Sequence, residues 1–232
     1  MKSPAWSDDQ DLFRQIRASL YSAVIGDILD QLGYTQQFLP ATLQPLRSDM
    51  VVCGRAMPVL QADDVGGEGP DRNSESMNRP FGLMLRALDD LQCNEVYVCG
   101  GAAPNYALWG ELMTMCALNR GAAGAVLHGF SRDTRGILEA NFPCFSSGRY
   151  ARDQRARGKI LDFRCRINIG GVQIQPGDII FGDQEGVVVV PRAIEAAVVA
   201  KAWEKAHGEK QVFNAIKAGM GAQEAWDKFG IL

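Results

Sequence analysis

Residues 96–142 read VYVCGGAAPNYALWGELMTMCALNRGAAGAVLHGFSRDTRGILEANF. A β-branched run (96–99) gives way to a Gly-rich turn, an Ala/Leu/Met-rich helix from about Gly110, a second strand (123–128) and a loop carrying Arg132 and Asp133. That order is one strand, helix, strand unit. Two parallel strands joined by a helix have their C-terminal ends on the same sheet edge. The loop that opens the helix and the loop after the second strand are therefore expected to be neighbours. Ligands of open α/β sheets tend to sit outside these carboxyl ends, so Glu111, Arg132 and Asp133 are expected to converge at a ligand edge.

Upstream, Leu12, Ile16, Leu20, Val24, Ile28 and Leu32 recur at steps of four, the spacing of helices. Ser19 or Ser22 is expected to cap a second helix over 23–33. Residues 50–60 alternate like a strand with a Gly bulge, and 81–91 have helical spacing. Between them, 62–80 is the most polar, Gly- and Pro-rich segment, read as a lid or an interface loop.

Downstream, 143–148 looks extended and 149–159 (RYARDQRARGK) is a basic loop. Short β runs at 161–169, 172–174, 179–181 and 187–190, divided by Gly and Pro turns, point to an antiparallel or mixed layer. The chain from Pro191 reads as two or three helices, with breaks at Gly208 and at 219–221 and a last amphipathic piece over 222–229.

A chain of 232 residues fits one substantial domain, or one domain with a helical appendage. The formal net charge of −3 gives no electrostatic case for nucleic acid or anionic membrane, so small-molecule or protein partners are favoured. No apolar run reaches the roughly 18 residues of a membrane span, and the N-terminus lacks the basic then apolar order of a signal peptide. The expectation is a soluble cytoplasmic protein. The six cysteines form no C-x-x-C pair and are read as buried thiols, and two histidines exclude a His-rich metal site.

Taken singly, Glu111 in a first helical turn and Arg132-Asp133 in a loop are as consistent with solvated charge as with function. Together on one edge, a carboxylate pair and an arginine beside free helix amides can hold a hard divalent ion through waters while the arginine grips an oxyanion. The first amides of the helix, at Leu112 and Met113, suit a carboxylate, although water or Glu111 could satisfy them equally. Gly100-Gly101-Ala102-Ala103-Pro104-Asn105 matches neither a dinucleotide fingerprint nor a phosphate loop, and His128 reads as strand-end packing.

Glu111, twenty residues, then Arg132-Asp133 within GELM and AAGAVLHGFSRDTRGI, followed by GDQEGVVVVP, resembles the RraA-like family. That family includes divalent-metal-dependent 4-hydroxy-4-methyl-2-oxoglutarate / 4-carboxy-4-hydroxy-2-oxoadipate aldolases. The resemblance covers roughly residues 21–192. It implies an α/β fold, an α/β/β/α sandwich of the phosphohistidine-swivelling type, with residues 1–192 as the domain and 193–232 as a helical extension packing on the same or a neighbouring subunit.

The resemblance also implies roles. Asp133 would bind Mg²⁺ or Mn²⁺ directly, Glu111 would hold the metal's waters, Arg132 would stabilise a pyruvate enolate, and the Leu112 and Met113 amides would bind the substrate carboxylate. Asp27 and Glu209 match acids supplied by a neighbouring subunit of a homotrimer or hexamer with sites between subunits. The implied activity is pyruvate-aldolase cleavage of a 4-hydroxy-2-oxo acid, with oxaloacetate decarboxylation on the side. Alternatives are a non-catalytic regulator that binds a ribonuclease, or a lyase or hydratase acting on a sugar-acid-like substrate. Two positions depart from the pattern: the aldolases have Asp where Glu111 stands, and related chains often carry an acid where Gly136 stands.

Overall fold

Four strands in parallel form the backbone of the protein, a computed structural model that describes residues 5–64, 75–103 and 105–230. Strand β1 (Gln44–Pro45) and the long β2 (Val52–Asp63) precede helix α3 (Met84–Asp90) and β3 (Glu95–Gly100). Then come β4 (Ala107–Trp109), α4 (Glu111–Asn119), β5 (Gly124–Leu127), β6 (Phe130–Ser131), α5 (Thr134–Glu139) and β7 (Cys144–Ser146). β2, β3, β5 and β7 pair in parallel register, Arg55 with Glu95, Val96 with Gly124 and Ala125 with Cys144. The expected single strand, helix, strand unit is thus the middle one of three, since α3, α4 and α5 each join two neighbouring parallel strands.

The remaining strands make the layer mixed. β8 (Gly158–Phe163) lies antiparallel on the far half of β2, with a bulge between Leu60 and Gln61, and β9 (Ile167–Ile169) and β10 (Val172–Ile174) form a separate hairpin. β11 (Ile179–Asp183) and β12 (Gly186–Val190) pair antiparallel beyond β2, giving the order β1-β7-β5-β3-β2-β11-β12. Residues 37–39 then hydrogen-bond to β12 just before the chain enters β1, so the two edges nearly meet and the sheet is nearly closed. The β run expected over 161–169 is broken in two because Arg164 adopts φ 54°, a left-handed turn that ends β8.

Helices cover both sides. α1 (Asp9–Ser19), α2 (Ser22–Gln31) and the C-terminal α6 (Glu195–Lys217) pack Leu12, Ile16, Ile25, Leu29, Val198 and Ala202 against Cys53, Ile179, Phe181, Val188 and Val190. The larger core joins the sheet to α3, α4 and α5. In β11 and β12 the alternation is strict: Ile180, Val187 and Val189 face the larger core, and their neighbours face the α1/α2/α6 side. α7 (Ala222–Phe229) follows as expected and packs on α6.

Three local expectations change. Neither Ser19 nor Ser22 caps α2: its N-cap is Tyr21, and the Ser22 amide and hydroxyl both donate to Asp183 at 2.8 Å. A β11 carboxylate thus does what a side-chain cap would have done. Gly208 does not break α6, which runs 23 residues; Val198, Val199 and Ala202 before it and Val212 after it are buried. That packing outweighs the roughly 1 kcal/mol helical cost of one glycine. Of the cysteines, Cys53, Cys99 and Cys144 are buried, whereas Cys93 and Cys116 are exposed. Burial pushes the Cys53 thiol up to about 12, which leaves it inert. Of the 62–80 segment, residues 65–74 lie outside the described residues.

Candidate active site

The carboxyl ends of β3 and β5 carry a small platform. β4 pairs in parallel with β6, and residues 148–153 cross over both: Tyr150 N–H donates to Ser131 O at 2.9 Å and Ala107 N–H to Arg152 O at 2.8 Å. Beneath it Trp109 is buried, stacked on Phe142 with ring centroids 5.9 Å apart, and its indole N–H donates to Thr114 Oγ1 at 2.8 Å. Strands of two and three residues are held here by tertiary packing, since their length carries no stability of its own.

Gly110 ends β4 and is the N-cap of α4, with no side-chain cap bond on the helix. The first-turn amides, those of Leu112 and Met113 among them, have no intrahelical acceptor and sit at the positive end of the dipole. Arg132 follows β6, its backbone N–H donating to Trp109 O at 2.9 Å, which fastens the arginine beside the helix start. Its guanidinium lies between two carboxylates, 3.7 Å from Asp133 and 3.6 Å from Asp153. Those distances exceed a hydrogen bond, so its donors remain available to an oxyanion.

Asp133 is the N-cap of α5 and takes φ 55°, ψ 37°, a left-handed conformation uncommon outside glycine, in which Asp is among the tolerated residues. Two glycines make room for the acids. A Cβ on Gly110 would stand 2.7 Å from Asp133 Oδ2, and one on Gly136 would stand 2.2 Å from Glu111 Cδ. Glu111 therefore lies across α5 in the volume that a side chain at 136 would occupy. The two positions that depart from the resembled pattern therefore touch: Glu111 fills the space that a side chain at 136 would take.

The structure brings Glu111, Leu112, Met113, Arg132 and Asp133 together at one edge, and adds Asp153, which the sequence reading left in a basic loop. Asp27 and Glu209 lie elsewhere in the chain, on α2 and α6, where both pair with Lys205 and Glu209 also accepts from the Tyr21 hydroxyl. Desolvation, followed by Glu209, pushes the Tyr21 phenol up to about 12. His128 is half-buried at the end of β5, and burial lowers its pKa.

Among the described residues no three His, Cys, Asp or Glu side chains converge as a ready metal cage. Asp133 and Glu111 are oxygen donors open to water. That donor set fits Mg²⁺ or Mn²⁺, since Mg²⁺ keeps several waters and is held by one or two carboxylates.

A nearly closed mixed sheet, helices on both sides and an acid/arginine edge beside an uncapped helix start define an α/β protein with a charged candidate site. The chain belongs to the RraA-like family, described as Aldolase/RraA, whose pattern matches residues 22–189. A Halalkalibacterium halodurans protein named "Putative 4-hydroxy-4-methyl-2-oxoglutarate aldolase" is 29% identical over 93% of each chain. Protein DlpA of Legionella pneumophila is 29% identical over 90% of this chain, which spans 32% of DlpA's length. The matched region spans 59–61% of three further curated relatives. Among solved structures, Streptomyces coelicolor RraAS2, described as an unusual member of the RNase ES inhibitor RraA protein family, shares the fold with a TM-score of 0.74 at 21% identity, covering 91% of this chain and 99% of its own. No helix among the described residues is long and apolar enough to cross a membrane.

Proposed function

We propose that the protein is a divalent-metal-dependent carbon–carbon lyase that cleaves a 4-hydroxy-2-oxo acid to release pyruvate. The carrying observation is the site edge itself: a loosely held Arg132, the uncapped start of α4 and two solvent-open acids converge within one strand, helix, strand unit. The aldolase name of the H. halodurans relative supports the same reading.

Each group has a task. The Leu112 and Met113 amides hold the substrate's C1 carboxylate at the helix start. Arg132 donates to the C2 oxygen, where negative charge develops as the C3–C4 bond breaks and an enolate forms. Glu111, acting through a water, takes the C4 hydroxyl proton and returns a proton to C3. Asp133 would ligate Mg²⁺ or Mn²⁺ directly and Glu111 would hold its waters; when bound, the metal supplies Lewis-acid stabilisation of the same enolate charge. Decarboxylation of oxaloacetate passes through that enolate too and is the expected side activity.

We further propose a homotrimer or hexamer with the site between subunits. Leu112, 81% exposed, with Met115 and Leu118 gives α4 an apolar outer face, which supports a subunit contact there. Asp27 and Glu209 of a neighbouring subunit are the candidates to complete the metal's outer shell, in which case Lys205 would be shared or released. Residues 193–232 are proposed as an extension of the 1–192 domain, and the cytoplasm as its location. A regulator that binds a ribonuclease is the competing reading, supported by the name of the Streptomyces neighbour; it would not require the acid/arginine edge. A lyase or hydratase for sugar-acid-like substrates would use that same edge.

Purified protein given oxaloacetate and 4-hydroxy-4-methyl-2-oxoglutarate is expected to release pyruvate with Mg²⁺ and to stop on addition of EDTA. Pyruvate release indifferent to EDTA, or none from either compound, would remove the proposal.

A further inference from the structure

A cavity of about 270 Å³ opens directly from the acid/arginine edge. Arg132, Asp133 and Asp153 line it together with Phe81, Met84, Leu85, Leu88, Leu108 and Met113, from α3 and its approach, β4 and α4. A hydrophobic cavity of about 150 Å³ suffices to hold benzene, so this one has room for a ring or a branched alkyl chain beside the reacting atoms.

Charge argues in the same direction. Arg132 is the one cation lining the cavity among the described residues, and the site reading already commits it to the C2 oxygen. A second substrate carboxylate lying against the apolar walls would find no cation among the side chains that form them, and the Gln154 amide is turned onto the Met84 sulfur at 2.7 Å. The basic side chains just outside have contacts of their own. Arg155 lies over the Phe81 ring at 5.7 Å, Arg157 donates to Asp153 O at 2.8 Å, and Lys159 donates to Arg79 O at 2.8 Å and Pro80 O at 3.1 Å. Burying a carboxylate without a partner is unfavourable, whereas an apolar group gains from each contact with these walls.

We propose that the substrate carries an apolar substituent of about phenyl size at C4, and that this cavity receives it; the inference rests on the lyase reading and specifies its substrate class. For a 4-phenyl member, the C3–C4 bond breaks, the C4 hydroxyl loses its proton to give benzaldehyde, and C3 gains a proton to give pyruvate, with no oxidant or reductant needed. The cavity thereby favours such a substituent over the second carboxylate of 4-hydroxy-2-oxoglutarate, which is expected to react more slowly.

The test compares kcat/KM for pyruvate release, followed by proton NMR with Mg²⁺ present, from 4-hydroxy-2-oxo-4-phenylbutanoate and from 4-hydroxy-2-oxoglutarate. The phenyl compound is expected to be preferred at least tenfold. Leu85→Lys, at an exposed position on the cavity wall, is expected to reduce that preference at least tenfold. Equal or better turnover of the dicarboxylate, or a preference that Leu85→Lys leaves unmoved, overturns the inference. Oxaloacetate separates the two failures: pyruvate from oxaloacetate without a phenyl preference defeats the substrate class alone, and pyruvate from none of the three compounds defeats the lyase reading with it.

Discussion

Gly136 is where one hydrogen in place of a side chain sets the geometry of Glu111, the proposed catalytic acid. It lies within α5, where alanine is ordinarily favoured over glycine by about 0.5–1 kcal/mol. The added Cβ would nevertheless fall 2.2 Å from Glu111 Cδ. Glu111 is exposed and can swing aside, so the fold survives while the carboxylate leaves its place. Gly136→Ala is accordingly expected to keep or raise the melting temperature and to lower pyruvate release at least tenfold. Unchanged kcat with Gly136→Ala would mean that the position of Glu111 does not matter. At this scale the sequence was informative only through spacing. Glu111 and Arg132-Asp133 stood out because twenty residues separate them across a strand, helix, strand unit, whereas nothing in the spacing reveals that Glu111 leans on Gly136. Asp153 was illegible for another reason: it is one acid in a basic loop, and only the crossing of residues 148–153 over β4 and β6 brings it to Arg132.

Among the elements, α4 and the short β4 that feeds it are tied by the buried bond from Trp109 Nε1 to Thr114 Oγ1. Thr114→Val keeps the shape and leaves the indole N–H unpaired, which costs about 1–3 kcal/mol. For a chain of this length each kcal/mol moves the melting temperature by roughly 2–4 °C, so a thermal scan is expected to show a fall of several degrees. A fall of less than a degree would show that the bond adds nothing. The parallel pair β3 and β5 was legible because short apolar runs bracket helical spacing, whereas β7, three residues without a β-branched side chain, read only as extended. β4 and β6 were not, since strands of two or three residues have no period to read. The misread break at Gly208 has the converse cause, tertiary burial on both sides of one unfavourable residue.

For the whole molecule, the helix layer is joined to the sheet at Arg55 on β2, which donates to Asp9 at 2.5 and 2.8 Å and pairs with Glu195 of α6. The Arg55 guanidinium holds the Asp9 carboxyl below its ordinary 3.8. A carboxyl depressed on folding contributes stability that is full above the unfolded value and is lost as pH falls through the folded one. Urea unfolding across a pH series is therefore expected to show Asp9→Asn less stable than the unmodified protein at neutral pH, with the gap closing below 3.8. A gap independent of pH would contradict it. The mixed character of the sheet was legible from turn density and the helices from their periodicity, whereas helices on both sides followed only from the family resemblance. Its near closure was not, because it depends on residues 37–39 bonding to β12 before β1 pairs with β7.

All of these features lead to one acid. Release of pyruvate from oxaloacetate in the presence of Mg²⁺ is expected to fall at least a hundredfold in Asp133→Ala, with the melting temperature lowered by only a few degrees, the cost of about 1–2 kcal/mol for holding Ala in the left-handed conformation. An Asp133→Ala protein that releases pyruvate at the unmodified rate would contradict the proposed metal-dependent lyase.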